Sequence, residues 1–85
     1  MDIHNLVHMA NRIGQFFEAM PDTTEAQAGV AQHLQKFWAP PMRLALLAHV
    51  QAGGEGLQPL VLQAVQAHAA QLQPVARASA VQAGG

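Results

Sequence analysis

The chain predicts an all-α fold: a small bundle of three to four helices with a flexible C-terminal tail. Three observations carry that expectation. Apolar residues recur at three- and four-residue spacing through four separate segments. Met20-Pro21, Ala39-Pro40-Pro41 and Gly53-Gly54-Glu55-Gly56 fall between those segments and punctuate them. No alternating run of β-branched residues appears, and tyrosine is missing, so strand signals are absent. Short connections between the segments make neighbouring helices antiparallel.

The first helix is expected from Asp2, its N-cap, to about Ala19. Ile3, Leu6, Val7, Ala10, Ile13, Gly14 and Phe17 form one apolar stripe, widened on its flank by Met9, Phe16 and Met20. Gly14 lies inside that stripe, where glycine costs about 1 kcal/mol against alanine. Its presence points to a physical reason such as the close approach of another helix. Proline disfavours a helical conformation in the residue before it, so Met20-Pro21 ends the helix.

The second helix is expected from Thr23 or Thr24 to Trp38. Asp22 with Glu25, or Thr24 with Gln27, has capping-box spacing. Ala26, Val30, Leu34 and Phe37 share a face, with Ala31 and Trp38 beside it. Pro41 opens a third helix to Gln51, since proline is tolerated in a first turn. That helix is apolar nearly all round and reads as the most central one. The glycine-rich stretch 53–56 reads as a flexible loop. A fourth helix is expected from Gln58-Pro59 to Ala70 or Leu72, with Leu57, Leu60, Val61, Ala64, Val65 and His68 on its apolar side. Residues 1–72 thus form one helical domain, and residues 73–85, rich in Ala, Gln, Pro and Gly, a disordered tail.

Composition removes several functional classes. Eighty-five residues make one domain at most. No cysteine is present, so this chain supplies no disulfide, zinc-thiolate site, iron–sulfur cluster or thiol nucleophile. Four basic residues against five acidic ones leave nucleic-acid phosphates without enough countercharge. No segment approaches the roughly 20 apolar residues of a membrane span, and the first residues lack the pattern of a secretory signal. A cytoplasmic location is compatible with this. The high apolar content reads either as an alanine-rich soluble helical protein or as a surface partly covered by a partner.

Chemistry-bearing side chains are few. His4 and His8 are four apart, the spacing of two helical metal ligands, but no glutamate follows His4 and no further ligands stand nearby. His49 and His68 lie on apolar faces and read as buried neutral histidines; His33 adjoins Leu34 at the core's edge. Ser79 is the sole serine, and Asp2, Asp22 and Glu55 sit at helix ends or in a loop, so no acid–base pair or nucleophilic triad assembles. Specificity concentrates instead in two segments, 9–17 and 36–43. They hold every aromatic residue (Phe16, Phe17, Phe37 and Trp38) and three of the four basic ones (Arg12, Lys36 and Arg43). The phenylalanines read equally as core. Trp38 and the arginines are the better interface candidates, because Trp and Arg dominate protein–protein binding energy. The expected partner-binding face is Arg12, Phe16, Lys36, Trp38 and Arg43, with no catalytic, cofactor-binding or metal-binding residues.

The two segments resemble a known family. Asn5-Leu6-Val7-His8-Met9-Ala10-Asn11-Arg12-Ile13-Gly14-Gln15-Phe16-Phe17, followed by His33-Leu34-Gln35-Lys36-Phe37-Trp38-Ala39-Pro40, is similar to the delta subunit of soluble, NAD-dependent, molybdenum- or tungsten-containing formate dehydrogenases. The likeness covers about Met1 to Leu62. It implies a non-catalytic accessory subunit of a cytoplasmic complex that oxidises formate to carbon dioxide and reduces NAD. In that family the alpha subunit carries bis-molybdopterin guanine dinucleotide with Mo or W and iron–sulfur clusters. Beta and gamma subunits carry FMN and further clusters, and the delta subunit carries no cofactor. The implied role is binding the alpha subunit and supporting assembly or stability of the active enzyme; the alternative is a transient maturation chaperone for the molybdenum cofactor. One position departs from the family pattern Phe-Trp-x-Pro-Arg-Met-Arg: Pro41 stands where the first arginine is usual, and only Arg43 remains.

Overall fold

The first two helices begin where an aspartate carboxylate serves backbone N–H groups of the first turn. The computed structural model describes residues 2–74. Among these, the helices are α1 (Ile3–Phe17), α2 (Thr23–Phe37), α3 (Pro40–Gln51), α4 (Pro59–Ala67) and the short α5 (Ala69–Leu72), with no strand. The fold class is the one expected. Of the expected tail, the residues beyond Pro74 lie outside the described ones.

The Asp2 carboxylate accepts a hydrogen bond from the His4 amide at 2.9 Å and starts α1. Asp22 does the same for α2, accepting from the Thr24 and Glu25 amides at 2.8 and 3.2 Å. The cap is therefore Asp22 rather than Thr24, and such a cap is worth about 1 kcal/mol. α3 opens at Pro40, one residue before the expected start, with Pro40 and Pro41 both in its first turn.

The end of α3 corrects the expectation of a flexible loop. The Gly53 amide donates to the Val50 carbonyl at 3.0 Å and the Gly54 amide to the His49 carbonyl at 2.9 Å. That pair of bonds is a Schellman cap, and Gly53 and Gly54 take the positive φ values, 120° and 68°, that it needs. Asn11 then fastens the turn to α1: its amide donates to the Gly56 carbonyl and its carbonyl accepts from the Gln58 amide, each at 2.9 Å. His49 adds a hydrogen bond between Nε2 and the Glu55 carbonyl at 2.8 Å. The glycines here build a turn tied at both ends, which their sequence alone does not distinguish from a slack one.

The expected fourth helix is split. His68 leaves helical geometry (φ −117°, ψ 27°) and α5 follows, with its Leu72 buried in the core.

The core is Leu6, Ala10, Val30, Leu34, Trp38, Leu46, Leu47, Val61, Ala64, Val65 and Leu72. No polar or charged side chain is buried among the described residues. The central helix is α2, not α3. It packs against α1, α4 and α5, most extensively against α4. Its small buried residues Ala26 and Ala31 let neighbours approach closely, whereas α3 buries only Leu46 and Leu47 and leaves Leu44 49% exposed. Being apolar on every side does not place a helix in the middle; the packing surface it can offer does. Gly14 answers the expectation raised for it. A Cβ there would lie 2.5 Å from Val61 Cγ2, so the absent side chain is what allows α1 and α4 to meet.

Candidate functional site: an exposed aromatic strip on α1 and α2

The antiparallel packing of α1 on α2 leaves a row of aromatic side chains facing solvent. Phe17 packs over Gly29, where a Cβ would stand 2.5 Å from the ring. Phe17 is thus seated between the helices while Phe16, one residue earlier, points outward and is 75% exposed. The two rings meet edge to face, with centroids 5.0 Å apart at 88°. Ile13, Phe16, Phe17 and His33 line a shallow groove of about 290 Å³. His33 in turn stacks on Phe37, centroids 4.8 Å apart and rings inclined by 45°. Phe37 is 68% exposed. The strip therefore runs from the last turn of α1 across to the last turn of α2.

Two cations border it. Arg12 precedes Phe16 by one turn of α1, and Lys36 follows His33 by one turn of α2; both are exposed. Of the five residues expected to bind a partner, Arg12, Phe16 and Lys36 are thus brought to one surface. The other two are used inside the fold. Trp38 is only 6% exposed and belongs to the core. At the C-cap of α2 its backbone turns extended (φ −91°, ψ 138°), and the side chain falls on the Ala31–Leu34 side of the helix, leaving Phe37 outside. Arg43 is half-buried, and its Nη1 donates to the Gln35 carbonyl at 2.6 Å and more weakly to the Trp38 carbonyl at 3.4 Å. It satisfies the carbonyls left over at the C-terminus of α2, the end of a helix that favours a cation.

His33 and Phe37 are the strip residues that the expected face lacks. The expected apolar face of α2 includes Phe37, with Trp38 beside it as an interface candidate; the structure reverses the two, exposing Phe37 and burying Trp38. The spacing permits this, because Phe37 and Trp38 follow Leu34 at three and four residues and either can continue the buried row.

Among the described residues the remaining polar side chains assemble no reactive centre. His4 and His8 are exposed, and His68 Nδ1 sits 3.2 Å from the Gln71 side-chain oxygen. Among the described residues no group of three or more His, Cys, Asp or Glu side chains is placed to hold a metal ion. A second groove, lined by residues including Glu18, Met20, Thr23 and Leu60, and a third, by Leu47, Val50, Val65 and Gln73, bring together no acid–base pair.

The family model described as NADH-dependant formate dehydrogenase delta subunit FdsD matches residues 5–65 of the 85-residue chain. No curated protein and no solved structure matches it.

Proposed function

The chain belongs to the FdsD family, the delta subunits of NADH-dependent formate dehydrogenase, and on that premise we propose that it is a resident accessory subunit. In this reading it binds the alpha subunit of the enzyme and supports assembly or stability of the active complex. Bis-molybdopterin guanine dinucleotide with Mo or W, iron–sulfur clusters and FMN are carried by the alpha, beta and gamma subunits, and the chain itself takes no part in the redox chemistry. The complex works in the cytoplasm; among the described residues no helix is long and apolar enough to cross a membrane.

The observation that carries the reading is the match over residues 5–65, which includes both aromatic segments. The exposed Phe16 and Phe37, with exposed Arg12 and Lys36 on the same two helices, offer a surface for contact with another subunit and support the reading.

Co-expression with the alpha, beta and gamma subunits, purification through a tag on this chain and native mass spectrometry test it. The expected product is a stoichiometric complex that reduces NAD with formate. Omitting this chain is expected to lower the yield of active, cofactor-loaded enzyme. Recovery of this chain with cofactor-poor alpha subunit alone would replace the reading with a transient maturation chaperone. Recovery of the chain by itself would reject both.

A further inference from the structure

Among the described residues three large apolar side chains are exposed: Phe16, Phe37 and Leu44. Leu44 is isolated on α3. Phe16 and Phe37 are joined through Ile13, Phe17 and His33 into the continuous strip and groove of α1 and α2. Leaving two phenylalanines largely in water forfeits the burial that a small protein most needs, so a surface of this kind marks a contact with something apolar.

The charge around the strip narrows the partner. Arg12 and Lys36 border it as exposed cations. Glu18 lines the groove beside Met20 and Leu60, away from the strip, and Glu25 lies in the first turn of α2, two turns from His33. The centre of the surface is thus aromatic with a cationic edge. Trp38 and Arg43 are excluded from it because the first is core and the second caps α2.

We propose that the strip formed by Ile13, Phe16, His33 and Phe37, flanked by Arg12 and Lys36, is the docking surface for a catalytic subunit of the formate dehydrogenase, and that the partner meets it with an apolar ridge edged by carboxylates. This rests on the reading of the chain as a resident subunit. Phe16 and Phe37 enter pockets of the partner, and Arg12 and Lys36 pair with its acidic rim. The aromatic contacts govern the lifetime of the complex, and the cations govern its formation rate and salt dependence.

The test compares full-length variants in binding to the co-expressed alpha–beta–gamma enzyme, with circular dichroism of each free chain as the control for folding. The Phe16→Ser, Phe37→Ser double variant is expected to bind at least 10-fold more weakly while keeping its helix content. Leu44→Ser, which removes an exposed apolar side chain outside the strip, is expected to bind like the parent. Arg12→Gln with Lys36→Gln, which removes both charges, is expected to slow association and to flatten its salt dependence. Equal affinity of the double serine variant and the parent would overturn the docking surface while leaving the subunit reading intact. Failure of the parent itself to bind would instead overturn the subunit reading. A parent that self-associates through the strip, shown by sedimentation and abolished by the serine pair, with enzyme binding unchanged, would assign the strip to a second copy of the chain and overturn the proposal.

Discussion

Adjacent residues at the end of α2 have opposite fates, and the difference is measurable. Trp38 is in the core and Phe37 is in solvent. Replacing a buried tryptophan with alanine removes its transfer free energy and leaves a cavity, a cost of about 3–5 kcal/mol. That is a large share of the roughly 5–15 kcal/mol available to a domain. Trp38→Ala is therefore expected to shift the urea midpoint sharply downward, whereas Phe37→Ser changes stability by no more than about 0.5 kcal/mol. Weaker binding by a Trp38 variant would then report unfolding, not a lost contact, so Trp38 is a poor probe of docking and Phe37 a good one. Helical spacing from Leu34 accommodates either residue, so taking Phe37 for the apolar face and Trp38 for partner binding is a choice that the fold reverses. Arg43 is a similar case, since an arginine reads as a binding residue until the carbonyls of Gln35 and Trp38 are seen to occupy it.

At the scale of elements, helix positions were legible because their signals are local. Asp2 and Asp22 are capping residues by chemistry, and Pro21 and Pro40 are breaks by covalent geometry. The break at His68 carries no such signal: no proline or glycine stands near it. The tie on the glycine turn is likewise not local, since Asn11 comes from a helix more than 40 residues earlier in the chain. The crossing of α1 and α4 lies between these cases. Gly14 announced a close approach, and Val61 is the residue it serves. Gly14→Ala gains about 1 kcal/mol of helix propensity but forces a Cβ to within 2.5 Å of Val61 Cγ2, and overpacking of this kind costs about 1–3 kcal/mol. Net destabilisation is expected in denaturant unfolding. Adding Val61→Ala, itself destabilising alone, should remove the clash and return part of the loss. A double-mutant cycle with no coupling between the two positions would show that the crossing adjusts freely and that Gly14 is not its spacer.

For the whole molecule, the same features that make it a good subunit make it a modest domain alone. The chain is 85 residues long, its core of leucine, valine and alanine holds one aromatic residue, Trp38, and Phe16 and Phe37 remain outside. A small domain buries a lesser fraction of its surface than a large one. Under the proposed binding, a partner that recognises only the folded chain would stabilise it by RT ln(1 + [L]/Kd), about 2.7 kcal/mol when the partner is at 100 times Kd. Amides deep in α2 and α4, such as those of Leu34 and Val61, exchange through the largest openings of the fold. Under that condition their hydrogen exchange is expected to slow by roughly 100-fold in the complex. The slowing should extend to the core and not stop at the strip, since it reflects the unfolding equilibrium of the entire chain. Protection confined to residues around Phe16 and Phe37 would mean that docking covers the surface without being linked to folding. In that event the support given to the enzyme would run in one direction only, from this subunit to its partner.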